Sequence, residues 1–178
     1  MLQELHIENF TIIEKISLSF SHGMTVVTGE TGAGKSITID ALELALGARA
    51  DTHVIRPGSE RCEIIAQFDI QKIIAAQQWL QEQELLNSDN DCVLRRIVAN
   101  DGRSKSFIND KPVSLQSLRA LGELLVNIHG QHEHQILLQR DAQRELLDAF
   151  ADNQTLLKQL KAVYISWQSL NEKLIAFF

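Results

Sequence analysis

The chain has 178 residues, of which 44% are hydrophobic and 22% charged, with two prolines. That length and balance predict one globular domain with room for an appendage, and they exclude a disordered chain. The net charge of −6 excludes a nucleic-acid binder working through its whole surface, while leaving room for a local basic patch. No apolar run approaches the roughly 18 residues of a membrane span. The start, MLQELHIENF, has no basic segment followed by an apolar core, so no secretory signal is expected. Cys62 and Cys92 show no metal-type spacing and read as reduced cytosolic thiols.

The first segment alternates as a strand, with Leu5, Ile7 and Asn9 on one side and His6, Glu8 and Phe10 on the other. Residues 12–20 offer a second strand, with Ile16, Leu18 and Phe20 on one side. After the turn His22-Gly23, residues 24–28 are β-branched and glycine-bounded, which predicts a short buried strand. Residues 35–47 predict a helix with Ile37, Ala41, Leu44 and Ala45 on one stripe and Gly47 at its end. A loop rich in turn formers covers 48–60. Cys62, Ile64, Ala66, Phe68 and Ile70 then alternate as a half-buried strand.

An amphipathic helix is predicted over 71–87, followed by strands near 92–98 and 104–109 around the turn Asn100-Asp101-Gly102. Asn109-Asp110-Lys111-Pro112 predicts a further turn, and Ser114 caps a helix through about residue 124. Residues 124–128 form a short apolar run that reads as a further strand. Beyond residue 131 there is no Gly or Pro. Leu146, Phe150, Leu157, Leu160, Tyr164, Trp167, Leu174 and Phe178 fall at alternating steps of four and three, with Asn at the remaining positions 153 and 171. A helix over 142–178 would run about 55 Å. It is either a core-packed terminal helix or the root of a coiled-coil arm.

Gly29-Glu30-Thr31-Gly32-Ala33-Gly34-Lys35-Ser36 matches G-x-x-x-x-G-K-[ST] in full, between a predicted strand and a predicted helix. A chance match in a chain this long is on the order of 1% or less. The glycines let the backbone close on an anion, and successive N–H groups and the helix N-terminus supply positive potential. Lys35 suits the β- and γ-phosphates and Ser36 suits Mg²⁺. Thr38 joins the candidate nucleotide-binding set.

Hydrolysis also needs a second carboxylate for the metal and a group that orients water. An apolar strand ending in an acid is missing: Leu124-Leu125-Val126 leads to Asn127, and Leu146-Leu147-Asp148 falls in the heptad segment. The residues therefore predict nucleotide binding with incomplete catalysis. The segment His129-Gly130-Gln131-His132-Glu133-His134-Gln135 lacks H-E-x-x-H spacing, which disfavours a structural metal. It reads as a polar loop in which Gln131 could offer an amide oxygen to Mg²⁺ or to the attacking water. Arg95, Arg96, Arg103, Lys105 and Lys111 read as a solvated hairpin or a nucleic-acid phosphate contact, with Arg49 and Arg56 as rivals.

The order Ile7-Glu8-Asn9-Phe10, the loop GETGAGKS, residues 41–51 (ALELALGARAD), Asn100-Asp101-Gly102-Arg103-Ser104, Ile108-Asn109-Asp110 and residues 127–135 (NIHGQHEHQ) closely resembles the N-terminal part of the RecN family. These are bacterial DNA repair proteins related to the structural-maintenance-of-chromosomes (SMC) ATPases, and the resemblance covers nearly the whole chain. It implies an α/β, P-loop NTPase fold: the N-terminal half of an ABC/SMC-type ATPase head with the start of a coiled-coil arm. It implies a head lobe over 1–140 and an arm root over 141–178. It further implies ATP and Mg²⁺ as cofactors, and as partners the C-terminal half of the same head, a second head and DNA, with no membrane. Gln131 matches the family's Q-loop glutamine, a catalytic and metal-facing role beside Lys35. Arg49 or Arg56 matches a loop arginine near nucleotide or DNA. The family's signature motif, acidic strand end and switch histidine belong to the other half, which agrees with the missing acid.

The expected function is the ATP-binding half of an SMC-like head in recombinational double-strand break repair, cytoplasmic and nucleoid-associated. The alternatives are a small P-loop kinase or phosphotransferase, which would need an acceptor pocket and an arginine-bearing lid, and a coiled-coil scaffold in which nucleotide only stabilises the fold.

Overall fold

The computed structural model describes residues 1–29, 34–87 and 91–128, and within 143–175 all but 145, 146, 149 and 152. The chain divides into two compact units, Met1–Ile128 and His129–Phe178.

The first unit is built on β1 (Leu2–Phe10), β2 (Ile13–Ser19), β3 (Arg61–Asp69), β4 (Asp91–Ala99), β5 (Ser104–Ile108) and β6 (Lys111–Val113). They form one antiparallel sheet in the order β2-β1-β3-β4-β5-β6. Strict alternation sets its inner face. Cys62, Ile64, Ala66 and Phe68 of β3 are buried, as are Cys92, Leu94, Arg96 and Val98 of β4. The register places Ala66 beside Leu94 and Ile64 beside Arg96. Each fully buried Leu, Ile or Phe contributes about 1.5–3 kcal/mol, so a slip by one residue would turn this whole set to water.

Against this sheet lie α1 (Lys35–Ala45), burying Ala41, Leu44 and Ala45, and α3 (Leu115–Leu125), burying Leu118, Leu121 and Gly122. Beside α3 lies α2 (Ile74–Glu82), which buries Ala76 and Leu80. Ser114 caps α3 as expected, its hydroxyl accepting from the Ser117 N–H at 3.0 Å. The Asp-Gly turn also forms: Gly102 takes φ +81° and the Ala99 N–H donates to the Arg103 carbonyl at 2.9 Å.

The residues that end α1, Leu46 and Gly47, come close to the backbone of α3. A Cβ on Gly122 would lie 2.5 Å from the Leu46 carbonyl oxygen, and one on Gly47 would lie 2.8 Å from the Arg119 backbone. Gly47 also takes φ +103°, ending α1 as its position predicted.

Several expectations change. Phe10 is buried with Leu5 and Ile7, not with His6, because Asn9 at φ +54° breaks the alternation by one step. The predicted strand 24–28 does not form. Met24, Val26 and Val27 are 92%, 72% and 58% exposed, since a strand needs a ladder partner and none of the described residues supplies one. The helix expected over 71–87 is shorter, ending where Glu84 at φ +56° turns Leu85 into the core. Residues 126–128 form no strand, because α3 runs through Leu125. Pro112 lies within the short edge strand β6, where no donor is required of it.

In the second unit, α4 (Gln154–Ile175) leaves Leu157, Leu160, Tyr164, Trp167 and Leu174 exposed. Tyr164 and Trp167 stack at 5.6 Å between ring centroids. Among the described residues no helix is long and apolar enough to cross a membrane.

Candidate functional site

The candidate phosphate-binding loop leads into α1. Of its residues, Gly29, Gly34, Lys35 and Ser36 are described, with Thr38 beyond; Glu30, Thr31, Gly32 and Ala33 lie outside the described residues. Gly34 is the N-cap of α1 at φ +87°, a conformation that a residue with a Cβ adopts at a cost of about 1–2 kcal/mol. The Thr38 N–H and Oγ1 both donate to the Gly34 carbonyl, at 3.1 and 3.2 Å. No side chain caps the helix and its first turn carries no acid. The leading N–H groups have no partner within the helix, and they sit at the positive end of the helix dipole.

The Lys35 Nζ donates to the Gly29 carbonyl, joining the two ends of the loop. An ammonium, a hydroxyl on exposed Ser36 and open amides therefore gather at one helix end. Such a set has the chemistry to hold an anion, and a serine hydroxyl is the kind of hard oxygen that Mg²⁺ prefers.

The loop after α1 is tied to the β1–β2 turn. The Thr11 N–H donates to the Val54 carbonyl at 2.7 Å, and the Arg56 N–H to the Asn9 carbonyl at 2.9 Å. Asp51 caps the 3-10 turn Thr52–Val54 by accepting from the His53 N–H at 3.1 Å, and that bond holds its carboxyl below the usual value. Arg56 is committed to this joint, donating to the Ile12 carbonyl at 2.9 Å and pairing with Glu14 at 3.4 Å. Arg49 is exposed and forms no hydrogen bond or ion pair among the described residues.

The basic hairpin is less open than its composition implied. Arg95 pairs with Glu63 at 2.5 Å and lies 5.1 Å over the Phe107 ring. Arg103 pairs with Asp101, and Lys111 donates to the Glu84 carbonyl. Arg96 is 1% exposed. Its Nη1 donates to the Ser106 Oγ and its Nη2 to the Ser104 Oγ at 3.1 Å, while Nε has no partner. Burial lowers its pKa, and the neighbouring Cys62 works the other way. Its parity with Cys92, Leu94 and Val98 was the signal in the sequence that it faces inward.

Gln131 and the three histidines around it lie outside the described residues, and among the described residues no cluster of His, Cys, Asp or Glu could hold a metal. Cys62 and Cys92 are free and buried. Burial pushes both thiols up, Cys92 to about 12 with help from Asp91.

A glycine-led helix N-terminus with its lysine and serine, set against a sheet, defines a P-loop nucleotide-binding domain. A family profile described as an AAA domain matches residues 4–175, and the chain belongs to that family. Within it, the chain is 47% identical over 174 residues to DNA repair protein RecN of Vibrio cholerae serotype O1, covering 98% of this chain. The chain spans 31% of that relative's length. The resemblance read from GETGAGKS and the later segments therefore holds along the chain.

Two solved structures share the fold. One is an SMC ATPase studied for ATP-driven dimerization and DNA-stimulated activation: TM-score 0.60, 22% identity, 83% of this chain and 97% of that one. The other is an Smc head domain with an extended coiled coil, derived from Pyrococcus furiosus and bound to the C-terminal domain of ScpA: TM-score 0.63, 18% identity, 96% of this chain and 48% of that one.

Proposed function

We propose that this chain is the ATP-binding part of an SMC-like ATPase head that acts in recombinational repair of DNA double-strand breaks. Residues 1–140 are the head lobe and 141–178 the root of a coiled-coil arm. The observation that carries this reading is the start of α1, where Lys35 reaches back to Gly29 beside uncapped, acid-free helix amides. Residues Gly29, Glu30, Thr31, Gly32, Ala33, Gly34, Lys35, Ser36 and Thr38 bind the nucleotide. Lys35 would neutralise the phosphates, while Ser36 and Gln131 would hold Mg²⁺, which would supply further positive charge to the phosphates when bound. Gln131 also positions the attacking water.

The exposed run Met24, Val26 and Val27 supports a head completed by a further segment. It has the composition of a strand buried on both faces, and in this reading the C-terminal half of the same head covers it. Two such heads engage around ATP as a homodimer and release on hydrolysis, coupled to holding or tethering DNA at the nucleoid. The exposed heptad side of α4, with Leu157, Leu160 and Leu174, pairs with the returning arm.

The test is nucleotide titration of the chain, with and without the remaining part of the protein, for wild type and Lys35→Ala. The chain alone is expected to bind an ATP analogue weakly and turn ATP over negligibly, with Lys35→Ala abolishing binding. Turnover by the chain alone that vanishes in Lys35→Ala would refute the division of labour.

A further inference from the structure

The exposed face of α4 is wider than one neighbouring helix needs. At about 100° per residue, Leu160, Trp167 and Leu174 form a central row. Leu157, Tyr164 and Asn171 lie about 50° to one side of it, and Leu156, Val163 and Leu170 about 50° to the other. The heptad read from the sequence uses the central row and the first flank, where Asn171 interrupts it. The second flank is unbroken and more open: Leu156, Val163 and Leu170 are 63%, 67% and 66% exposed, against 37% for Leu157. A two-stranded coiled coil uses two rows, whereas an apolar face about 100° wide belongs to a helix with more than one neighbour. A returning arm on the first flank therefore leaves the second uncovered.

The second flank and the central row are complementary to themselves. Laid antiparallel on a second copy about Ile165, Leu156 meets Leu174, Leu160 meets Leu170 and Val163 meets Trp167. Each layer joins the central row of one copy to the flank of the other, and large Trp167 faces small Val163, as close packing requires. A parallel pairing in register would set Trp167 on Trp167 and Val163 on Val163, one layer overfilled and the next underfilled. The antiparallel arrangement also places the positive end of each helix beside the negative end of the other. At the margins Lys173 faces Gln159 and Ser166 faces Ser166, so no like charges meet.

We propose that α4 is an interface with a second copy of this chain, packed antiparallel through Leu156, Leu160, Val163, Trp167, Leu170 and Leu174. The contact runs about 27 Å along the helix. In it the central row touches both neighbours, as in a helix bundle, and the flank assigned to the returning arm stays free. The phosphate-binding loop takes no part, so the interface stands whether or not that loop binds ATP.

The test is sedimentation equilibrium of the full chain without nucleotide, which keeps ATP-dependent engagement out of the measurement. From about 1 to 100 µM a monomer–dimer equilibrium is expected. Leu170→Lys removes one buried leucine from each copy and should weaken the dimer about a hundredfold or more, with helix content unchanged by circular dichroism. Leu157→Lys, at the margin, should weaken it less than about threefold. Orientation is read by oxidising chains that carry one added cysteine, since Cys62 and Cys92 are buried with their thiols held protonated. A mixture of Leu156→Cys and Leu174→Cys chains is expected to cross-link. Either alone should not, because its two thiols would lie about 27 Å apart. If Leu170→Lys loses helix, the cross-linking decides. A monomer throughout the range, a dimer indifferent to a well-folded Leu170→Lys, or Leu156→Cys cross-linking with itself overturns the proposal.

Discussion

Replacing Gly122 by alanine sets two effects of opposite sign against each other. Helix propensity alone favours alanine in the interior of α3 by about 1 kcal/mol. The new Cβ, however, would lie 2.5 Å from the Leu46 carbonyl oxygen and 3.1 Å from the Leu46 Cβ. The nearest atom is backbone and cannot rotate aside, so the helices must separate, and such overpacking costs about 1–3 kcal/mol or more. A clash with backbone at 2.5 Å falls at the upper end of that range, about 2–3 kcal/mol, so the net expectation is a loss of about 1–2 kcal/mol. Urea unfolding followed by far-ultraviolet circular dichroism should show a lower midpoint with an unchanged slope. Because Leu46 is the C-cap of α1, the same variant should bind an ATP analogue more weakly by calorimetry. An unchanged or raised midpoint would mean that the two backbones do not approach this closely, and the packing account would fail.

Asn109 donates to the Leu85 carbonyl at 2.7 Å and accepts from the Val93 N–H at 2.9 Å, at φ +49°. Asn109→Ala is expected to cost about 2–4 kcal/mol, with Asn109→Gly recovering only the conformational share; full recovery by glycine in denaturant titrations would contradict the hydrogen-bond role. Cys92 keeps its proton in the fold up to about 12, against about 9 unfolded. The native state therefore holds more protons than the unfolded one in that window. Its stabilising contribution is full below pH 9 and declines as pH rises towards 12, by about 1.4 kcal/mol per unit. Unfolding midpoints at pH 8 and 10 measure this, and Cys92→Ala should flatten the decline; an identical slope in that variant would remove Cys92 as its source.

Much of the antiparallel sheet could be read from residues alone. The alternation from Cys62 to Phe68, the Asp101-Gly102 turn and the Ser114 cap each rest on neighbours within a few positions, and each appears where expected. What was not legible depended on contacts distant in sequence or on single backbone angles. Nothing in Ile7-Glu8-Asn9-Phe10 announces that Asn9 turns left-handed, yet that angle sends Phe10 to the core. The run 24–28 carries the composition of a buried strand, but burial is supplied by whatever lies beside it, and no described residue does. Arg96 was grouped by charge with its neighbours when its parity set it apart. At the candidate site, Gly34, Lys35 and Ser36 start α1 as the motif requires, because that requirement is local.

The meeting of Leu46 with Gly122, and of Gly47 with Arg119, has a mechanical meaning. Side-chain contacts absorb small movements by changing rotamer, whereas backbone against backbone leaves no slack. A shift at the end of the helix that begins at Lys35 would therefore press directly on the helix that follows Ser114.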